Sequence, residues 1–515
     1  MTINPLGFNS TLPNLPMAAA SKEDETSVPS QTDSFSAHST GKTKKSKKMK
    51  DCAAAVPAKE ASRQKQVVYG DCYGQITHLG VQVDADVTSD GNKGREIYNT
   101  LKTLFSHMEP DTKFTIVIES DRDKKAIEGV MKEIKMQNPE RVNLLKAPYE
   151  ITSWMRDNMV MTFDAEEPHQ PIMIDKAPFQ SHDDARLPGF IAKNTPDVQF
   201  VVDKILKTDG GDVVSDDKNA YVGYDSIYLT AMNLYNQSQG GGKSVNLIMN
   251  GMMPQEMSSQ VFSKKVVFND VPAQSHLPKF HLEDNPDYAP VKGPNLEQHW
   301  LDKGSEYFKG KYGKEIVVMG NDDPDTDAVE KPATFHVDMG VTPLDNNTVL
   351  VGSPQFAMDE ISKWSKAQYD AANKSLQKET GLRGDILGKI LSHNKEKDPD
   401  DPSVMRIQNN FESQVKTIEA QDKNVIRLPY LEGNGSASTP WITYGNCIMQ
   451  NFTRHDGTAV KNVFLPVYGI PLDDVATKIY QAQGFEVIPL QLAAFTSLAG
   501  AIRCMSNYLG RSPAA

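Results

Sequence analysis

The sequence predicts an α/β fold, and three observations carry that reading. Apolar runs of strand length alternate with amphipathic helical stretches from about residue 67 onward. Glycine and proline are plentiful, at 34 and 31 of 515 residues, which fits a loop-rich globular enzyme better than a helical bundle. One arrangement of polar motif followed by apolar strand also recurs along the chain.

Residues 1–65 are rich in Ser, Thr, Pro, Ala and Lys and hold too little apolar surface to fold, so they read as a disordered tail. The run Lys42 to Lys50 within it is strongly basic and is a solvated linker, a nuclear address or an anionic docking patch. Residues 66–515 read as one folded domain with an inserted segment near 235–315, where Pro, Asp, Lys and Met are frequent and periodicity is weak.

Strands are expected at 80–83, 114–118 and 142–145, separated by helices at 95–108 and 126–136. The first helix places Ile97, Leu101, Leu104 and Phe105 on one face. Further strands are expected at 198–202, 315–319, 334–339, 348–351, 425–429, 446–449, 462–468 and 485–489. Residues 359–420 and 473–483 read as helical.

The formal net charge is −12, which argues against nucleic acid or an anionic membrane as partner and suits a cationic ligand. Cys52, Cys72, Cys447 and Cys504 form no C-x-x-C pair, so no zinc ribbon or disulfide framework is expected. No apolar run reaches membrane-spanning length, and the start lacks a secretory signal. The cytoplasm is the expected location; export without a signal peptide, or nuclear targeting through Lys42 to Lys50, is the alternative.

Four motifs stand out. Trp154-Met155-Arg156-Asp157 is a polar cluster after a strand, either an active-site loop or a surface ion-pair loop with one packed Trp. Asp209-Gly210-Gly211-Asp212 pairs carboxylates with glycines that allow close backbone approach, or makes a tight hairpin turn. His336-Val337-Asp338, read as strand, puts His336 and Asp338 on one face, as a catalytic or a structural pair. Arg503-Cys504-Met505-Ser506 sets a thiol beside a cation on a small-residue turn, so Cys504 is a low-pKa nucleophile or a buried hydrophobe. Cys447, in an apolar run, reads as structural.

Two other runs carry less. Gln239-Gly240-Gly241-Gly242-Lys243-Ser244 lacks phosphate-loop spacing and reads as a flexible loop. The acidic run 321–327 reads as a solvated loop, although a calcium-like ion would also suit it.

Asp209, His336 and Asn446 are each followed, a dozen or more residues later, by an apolar strand ending in small or aromatic residues. A unit of strands plus one helix, repeated around an axis, would bring every polar motif to one central channel.

The four motifs, in this order and with Cys last, resemble the pentein superfamily of guanidino-group-modifying enzymes. Its members include arginine, agmatine and protein-arginine deiminases and amidinotransferases. The resemblance covers the layout of residues 70–515, with specificity in the four motifs alone. It implies a five-bladed, pseudo-symmetric α/β propeller of ββαβ units. It also implies Cys504 as nucleophile, His336 as general acid/base and Asp209 as the carboxylate that orients the histidine. Asp209 is shorter than the Glu usual there, and Ala499-Gly500 departs from the commoner Gly-Gly. Asp157 and Asp338 would grip the guanidinium, and Trp154, Arg156, Gly210, Gly211, Asp212 and Arg503 would line the substrate site. The implied substrate is peptidyl-arginine, free arginine or agmatine. The implied chemistry uses no metal and no organic cofactor. An amidinotransferase or a non-catalytic propeller that binds a partner is the alternative.

Overall fold

The computed structural model describes residues 65–177, 183–238, 277–278, 296–320, 328–329, 334–397, 402–403, 405–435 and 438–512. The basic run 42–50, Cys52, the loop 239–244 and the acidic run 321–327 lie outside the described residues. All statements below concern the unit that begins at Ala61.

The chain opens with β1 (Gln66–Val68) and β2 (Ile76–Val83). Helices Ala85–Ser89 and Gly91–His107 lead to β3 (Lys113–Ile118), and helix Asp121–Glu133 leads to β4 (Val142–Lys146). Asp84, Asp90 and Ser120 cap the three helices by accepting from backbone N–H groups of the first turn. The four apolar residues expected on one face of the first long helix are all buried, in the same cluster as Val81 and Ile116.

Next come a short helix Met155–Asn158, β5 (Val160–Asp164), β6 (Pro171–Ala177), helix Leu187–Asn194 and β7 (Gln199–Lys207). A 3-10 turn Gly210–Asp212 precedes β8 (Val213–Ser215) and β9 (Asn219–Gly223), then helix Tyr224–Ser238. The two-residue strands β10 (Leu277–Pro278) and β12 (Ala328–Val329) flank helix Leu296–Tyr312 and β11 (Glu315–Met319) in sequence. A 3-10 turn Val337–Met339 leads to β13 (Val341–Pro343) and β14 (Thr348–Ser353). Helices Pro354–Ser362, Lys366–Thr380, Ile386–Asn394 and Arg406–Glu419 fill the expected helical stretch before β15 (Asn424–Leu431) and β16 (Ile442–Thr443). The chain closes with β17 (Ile448–Thr453), β18 (Ala459–Val467), helix Leu472–Ala482, β19 (Glu486–Gln491) and β20 (Ser506–Arg511).

Five of the six sheets among the described residues share one plan. An antiparallel pair comes first: β20/β2, β5/β6, β8/β9, β13/β14 and β17/β18. The second strand of each pair then runs parallel to a third: β2/β3, β6/β7, β9/β11, β14/β15 and β18/β19. Every parallel step is bridged by at least one helix, as a parallel pair requires. The sheet β20-β2-β3-β4 joins the first and last parts of the described chain. Strands such as β9 and β14 are buried on both faces, which explains why they read as continuous apolar runs.

Two expectations change. Residues 334–339 are not a strand: His336 is extended, but the 3-10 turn begins at once, closed by Met339 N–H donating to His336 C=O at 3.2 Å. The expected insertion near 235–315 ends in regular structure, because Leu301, Phe308 and Tyr312 bury one side of helix Leu296–Tyr312. No helix among the described residues is long and apolar enough to cross a membrane.

Candidate active site

Each polar motif sits just ahead of the first strand of a repeated unit. The short helix carrying Asp157 precedes β5, the turn Gly210–Asp212 precedes β8, and the turn carrying Asp338 precedes β13. Asn446 stands two residues before β17, and Cys504 two residues before β20. Loops at equivalent strand ends meet, and they bring these side chains together.

Cys504 is buried at the centre. Asn446 Nδ2 donates to its Sγ at 3.0 Å, and both carboxylate oxygens of Asp338 lie 3.9 Å from the sulfur. Burial and the charge of Asp338 push the thiol up to about 11, with His336 pulling the other way. Of the two readings the sequence left open for this thiol, burial is met, and the low-pKa reading rested on the neighbouring cation. The structure corrects that: Arg503 turns its guanidinium away, onto Asp71 and Asp338.

His336 bridges two acids. Its Nε2 lies 3.4 Å from Asp209 Oδ2 and its Nδ1 3.7 Å from Asp157 Oδ1. Burial opposes the imidazolium, but Asp157, Asp209 and Cys504 outweigh it and hold His336 well above the usual histidine value. Asp209 also accepts from Lys176 Nζ at 2.8 Å. Burial opposes its charge, yet Lys176 and His336 together keep Asp209 below the usual carboxylate range. For Asp157 the balance is reversed. Burial, with Asp209 and Asp338 adding to it, pushes Asp157 up to about 7 despite His336. Asp157 Oδ1 and His336 Nδ1 are both buried and have no hydrogen-bond partner among the described residues.

The two central glycines are required by packing. A Cβ on Gly211 would stand 2.5 Å from His336 Nδ1 and 3.2 Å from Asp157 Oδ1. One on Gly210 would meet the Arg156 carbonyl at 2.0 Å. Trp154 lies on the Cys504 turn, where a Cβ on Gly500 would meet its ring at 2.3 Å, and it packs against Phe495. Ala499 adopts φ +64, the left-handed region, to make that turn.

Three further residues expected at the substrate site are engaged by protein partners. Arg503 Nη2 donates to both Asp71 oxygens at 2.9 and 3.0 Å, and Nη1 to Asp338 Oδ2 at 2.5 Å. These bonds, with a further one from Nη2 to Val213 C=O, hold the guanidinium against Asp71 and orient Asp338. Arg156 lies under the turn: its N–H donates to Cys504 C=O at 3.1 Å, its Nε to Arg503 C=O at 3.0 Å, and its guanidinium rests over the Tyr508 ring. Asp212 faces Gly223 and accepts from Ser226 Oγ, which ties its turn to the start of helix Tyr224–Ser238. Cys447 is buried, with its sulfur 3.3 Å from Tyr480 Oη.

Asn446, Lys176 and Asp71 escaped the sequence reading. Only Asn446 left a trace there, as the polar member of the third repeat. Among the described residues no group of three or more His, Cys, Asp or Glu is arranged to hold a metal ion.

No protein-family model matches the chain, and no curated protein matches it. Solved structures similar to it include agmatine deiminase from C. jejuni with substrate bound, at 11% identity, covering 87% of this chain and 97% of that one, with a TM-score of 0.48. Agmatine deiminase of Enterococcus faecalis is also similar, at 11% identity, 87% and 96% coverage and a TM-score of 0.46. An inosamine-phosphate amidinotransferase from Streptomyces griseus has 10% identity, 88% and 98% coverage and a TM-score of 0.32.

Proposed function

We propose that this chain is a deiminase that hydrolyses a guanidinium group to a ureido product and ammonia. One observation carries the reading: a thiol, an imidazolium and three carboxylates converge where Asp157 Oδ1 has no hydrogen-bond partner among the described residues. A guanidinium is planar, always charged and donates in a fork, which suits a pair of facing carboxylates. Asp157 and Asp338 grip it and hold its carbon against Sγ.

The bound cation offsets the carboxylate charge that keeps the proton on sulfur, so substrate binding releases that proton to solvent and leaves the thiolate. Sulfur then forms a bond to the guanidinium carbon. His336 gives its proton to one nitrogen, the C–N bond breaks, and ammonia leaves an amidino-thioether cation. Neutral His336 next takes a proton from water as oxygen bonds to the same carbon. The C–S bond breaks, the thiolate returns, and the ureido product departs after losing a proton. Asp209, held by Lys176, keeps the imidazole ring oriented throughout. Dividing one difficult hydrolysis into two displacements is what a covalent nucleophile contributes.

The five repeated sheets are read as blades of a closed, pseudo-symmetric propeller, supported by the sheet that joins both ends of the described chain. Arginine residues in protein are the preferred substrate of this reading, ahead of free arginine and agmatine. Its support is the resemblance, in sequence layout alone, of the long helical stretch after His336-Val337-Asp338 to protein-acting deiminases. The test is a colour assay for ureido product on an arginine peptide, free arginine and agmatine, with Cys504→Ala as the blank. Product from one of the three, absent in the blank, supports the proposal. Product that persists in Cys504→Ala overturns it. Repeating the assay with an added primary amine separates hydrolysis from amidino transfer.

A further inference from the structure

The fourth unit in chain order to supply a polar group begins at β17, and its contribution is Asn446. This side chain is wholly buried. Its Oδ1 accepts two backbone N–H groups of the nucleophile turn, Ala501 at 3.1 Å and Cys504 at 3.2 Å. Its Nδ2 faces Cys504 Sγ at 3.0 Å and the Asp338 carbonyl at 3.4 Å.

The orientation of the amide follows from these partners. A flipped amide would aim its NH2 group at two N–H donors and present oxygen to a carbonyl oxygen. Both ends would then be repulsive, so the donor end faces the sulfur. An N–H aimed at sulfur favours thiolate over thiol, because a hydrogen bond to an ionised acceptor is the stronger one. The surroundings make that donor matter. Burial, two Asp338 oxygens at 3.9 Å and the charge of Asp157 disfavour negative charge on Sγ, and His336 is the other group that opposes them.

We propose that Asn446 is the thiolate-stabilising residue of this site: its amide oxygen shapes the turn that presents Cys504, and its amide N–H donates to the sulfur that attacks. The inference rests on the deiminase reading for the identity of the attacking atom. It reaches beyond the four motifs, since Asn446 belongs to none of them. The two ends of one amide thus perform two tasks, and they are separable by substitution. Asn446→Asp retains oxygens to accept from Ala501 and Cys504 while removing the donor to sulfur. Asn446→Ala removes both.

The test needs no guanidino substrate. The full chain, wild type and both variants, is treated with iodoacetamide across pH 7 to 10, and alkylation of the Cys504 peptide is followed by mass spectrometry. Quantifying that peptide alone excludes signal from the other cysteines. Thermal unfolding of each protein runs in parallel. The expected result is that Asn446→Asp, folded at the assay temperature by its unfolding curve, alkylates about tenfold or more slowly at a given pH, with its rate profile displaced upward by about one unit or more. Asn446→Ala alkylates slowly too, without the added charge. Equal rates at Cys504 in wild type and both variants would overturn the inference. So would a faster rate in Asn446→Ala that is still set by a pH-dependent thiolate. Because the readout is alkylation, an inactive wild type would overturn the deiminase proposal and leave this result legible on its own.

Discussion

Asp157 carries a proton-dependent task. Its carboxyl is pushed up to about 7 by burial and by Asp209 and Asp338, and its Oδ1 is the oxygen that a guanidinium would satisfy. Below that value the group is neutral and grips a cation poorly. The account therefore predicts that kcat/KM falls as pH drops through about 7, since this ratio reports groups of the free enzyme. An acid limb near 4 instead would show that Asp157 is not the group concerned. Asp157→Asn should cost about 100-fold or more in kcat/KM at pH 8, because a buried cation loses its partner. Stability moves the other way. The folded value lies above the ordinary 3.8, so the folded state holds the extra proton between about 4 and 7 and stability declines as pH rises through that window. Asp157→Asn removes that cost, and its urea midpoint at pH 8 should exceed that of wild type. A lower midpoint would contradict the assignment. At this scale the sequence was partly legible. Trp154 to Asp157, Asp209 to Asp212 and His336 to Asp338 are visible because polar clusters and paired glycines at strand ends are unusual. Lys176, Asp71 and Asn446 are ordinary residues whose partners lie 33, 432 and 58 positions away. Neighbourhood in sequence also misled: Arg503 and Cys504 are adjacent, yet their side chains leave the turn toward different partners.

The connecting turns are the elements that decide the geometry. The Gly210–Asp212 turn passes so close to His336 that a single methyl at Gly211 must displace the imidazole or Asp157. Gly211→Ala should lower kcat by about 100-fold, the usual consequence of a misplacement near 1 Å. Unchanged kcat would mean that the ring position is not critical. Strands were legible here because double-sided burial writes them as apolar runs, and helices because their buried faces keep a regular period. The residues from Thr334 to Met339 misread as strand for a physical reason. Their apolar and polar side chains alternate, but no neighbouring strand takes their backbone hydrogen bonds in the described structure, and Met339 N–H closes a tight turn on His336 instead. His336 and Asp338 reach the surroundings of Cys504 through that turn, and not through strand alternation. Helix Leu296–Tyr312 was obscured because Leu301, Phe308 and Tyr312 are spread thinly among Lys, Glu and Gly.

Across the whole molecule, repeated units contribute one loop each, and the two ends of the described chain meet in one sheet. Asp71, just after β1, receives Arg503 near the other end and also accepts from Ser215 N–H at 2.9 Å. That triangle joins three units beneath the thiol. Asp71→Ala leaves the Arg503 guanidinium buried with Asp338 as its remaining carboxylate, and should cost about 3–5 kcal/mol in urea unfolding. A loss under about 1 kcal/mol would show that the ion pair does not tie the units together. The repetition itself was legible as a spacing of polar motif and strand. Its regularity was not, because the helical connections range from the single short helix Leu187–Asn194 to four helices between β14 and β15.

The central claim is that Cys504 sulfur bonds to the carbon of a guanidinium. Its most direct test is an acid quench, within the first turnovers, of the full chain mixed with an arginine peptide, arginine or agmatine, followed by mass analysis of the Cys504 peptide. The account predicts an added mass equal to the substrate less ammonia on that cysteine, absent in Cys504→Ala. Steady formation of ureido product with the adduct on another residue, or by Cys504→Ala itself, would contradict it.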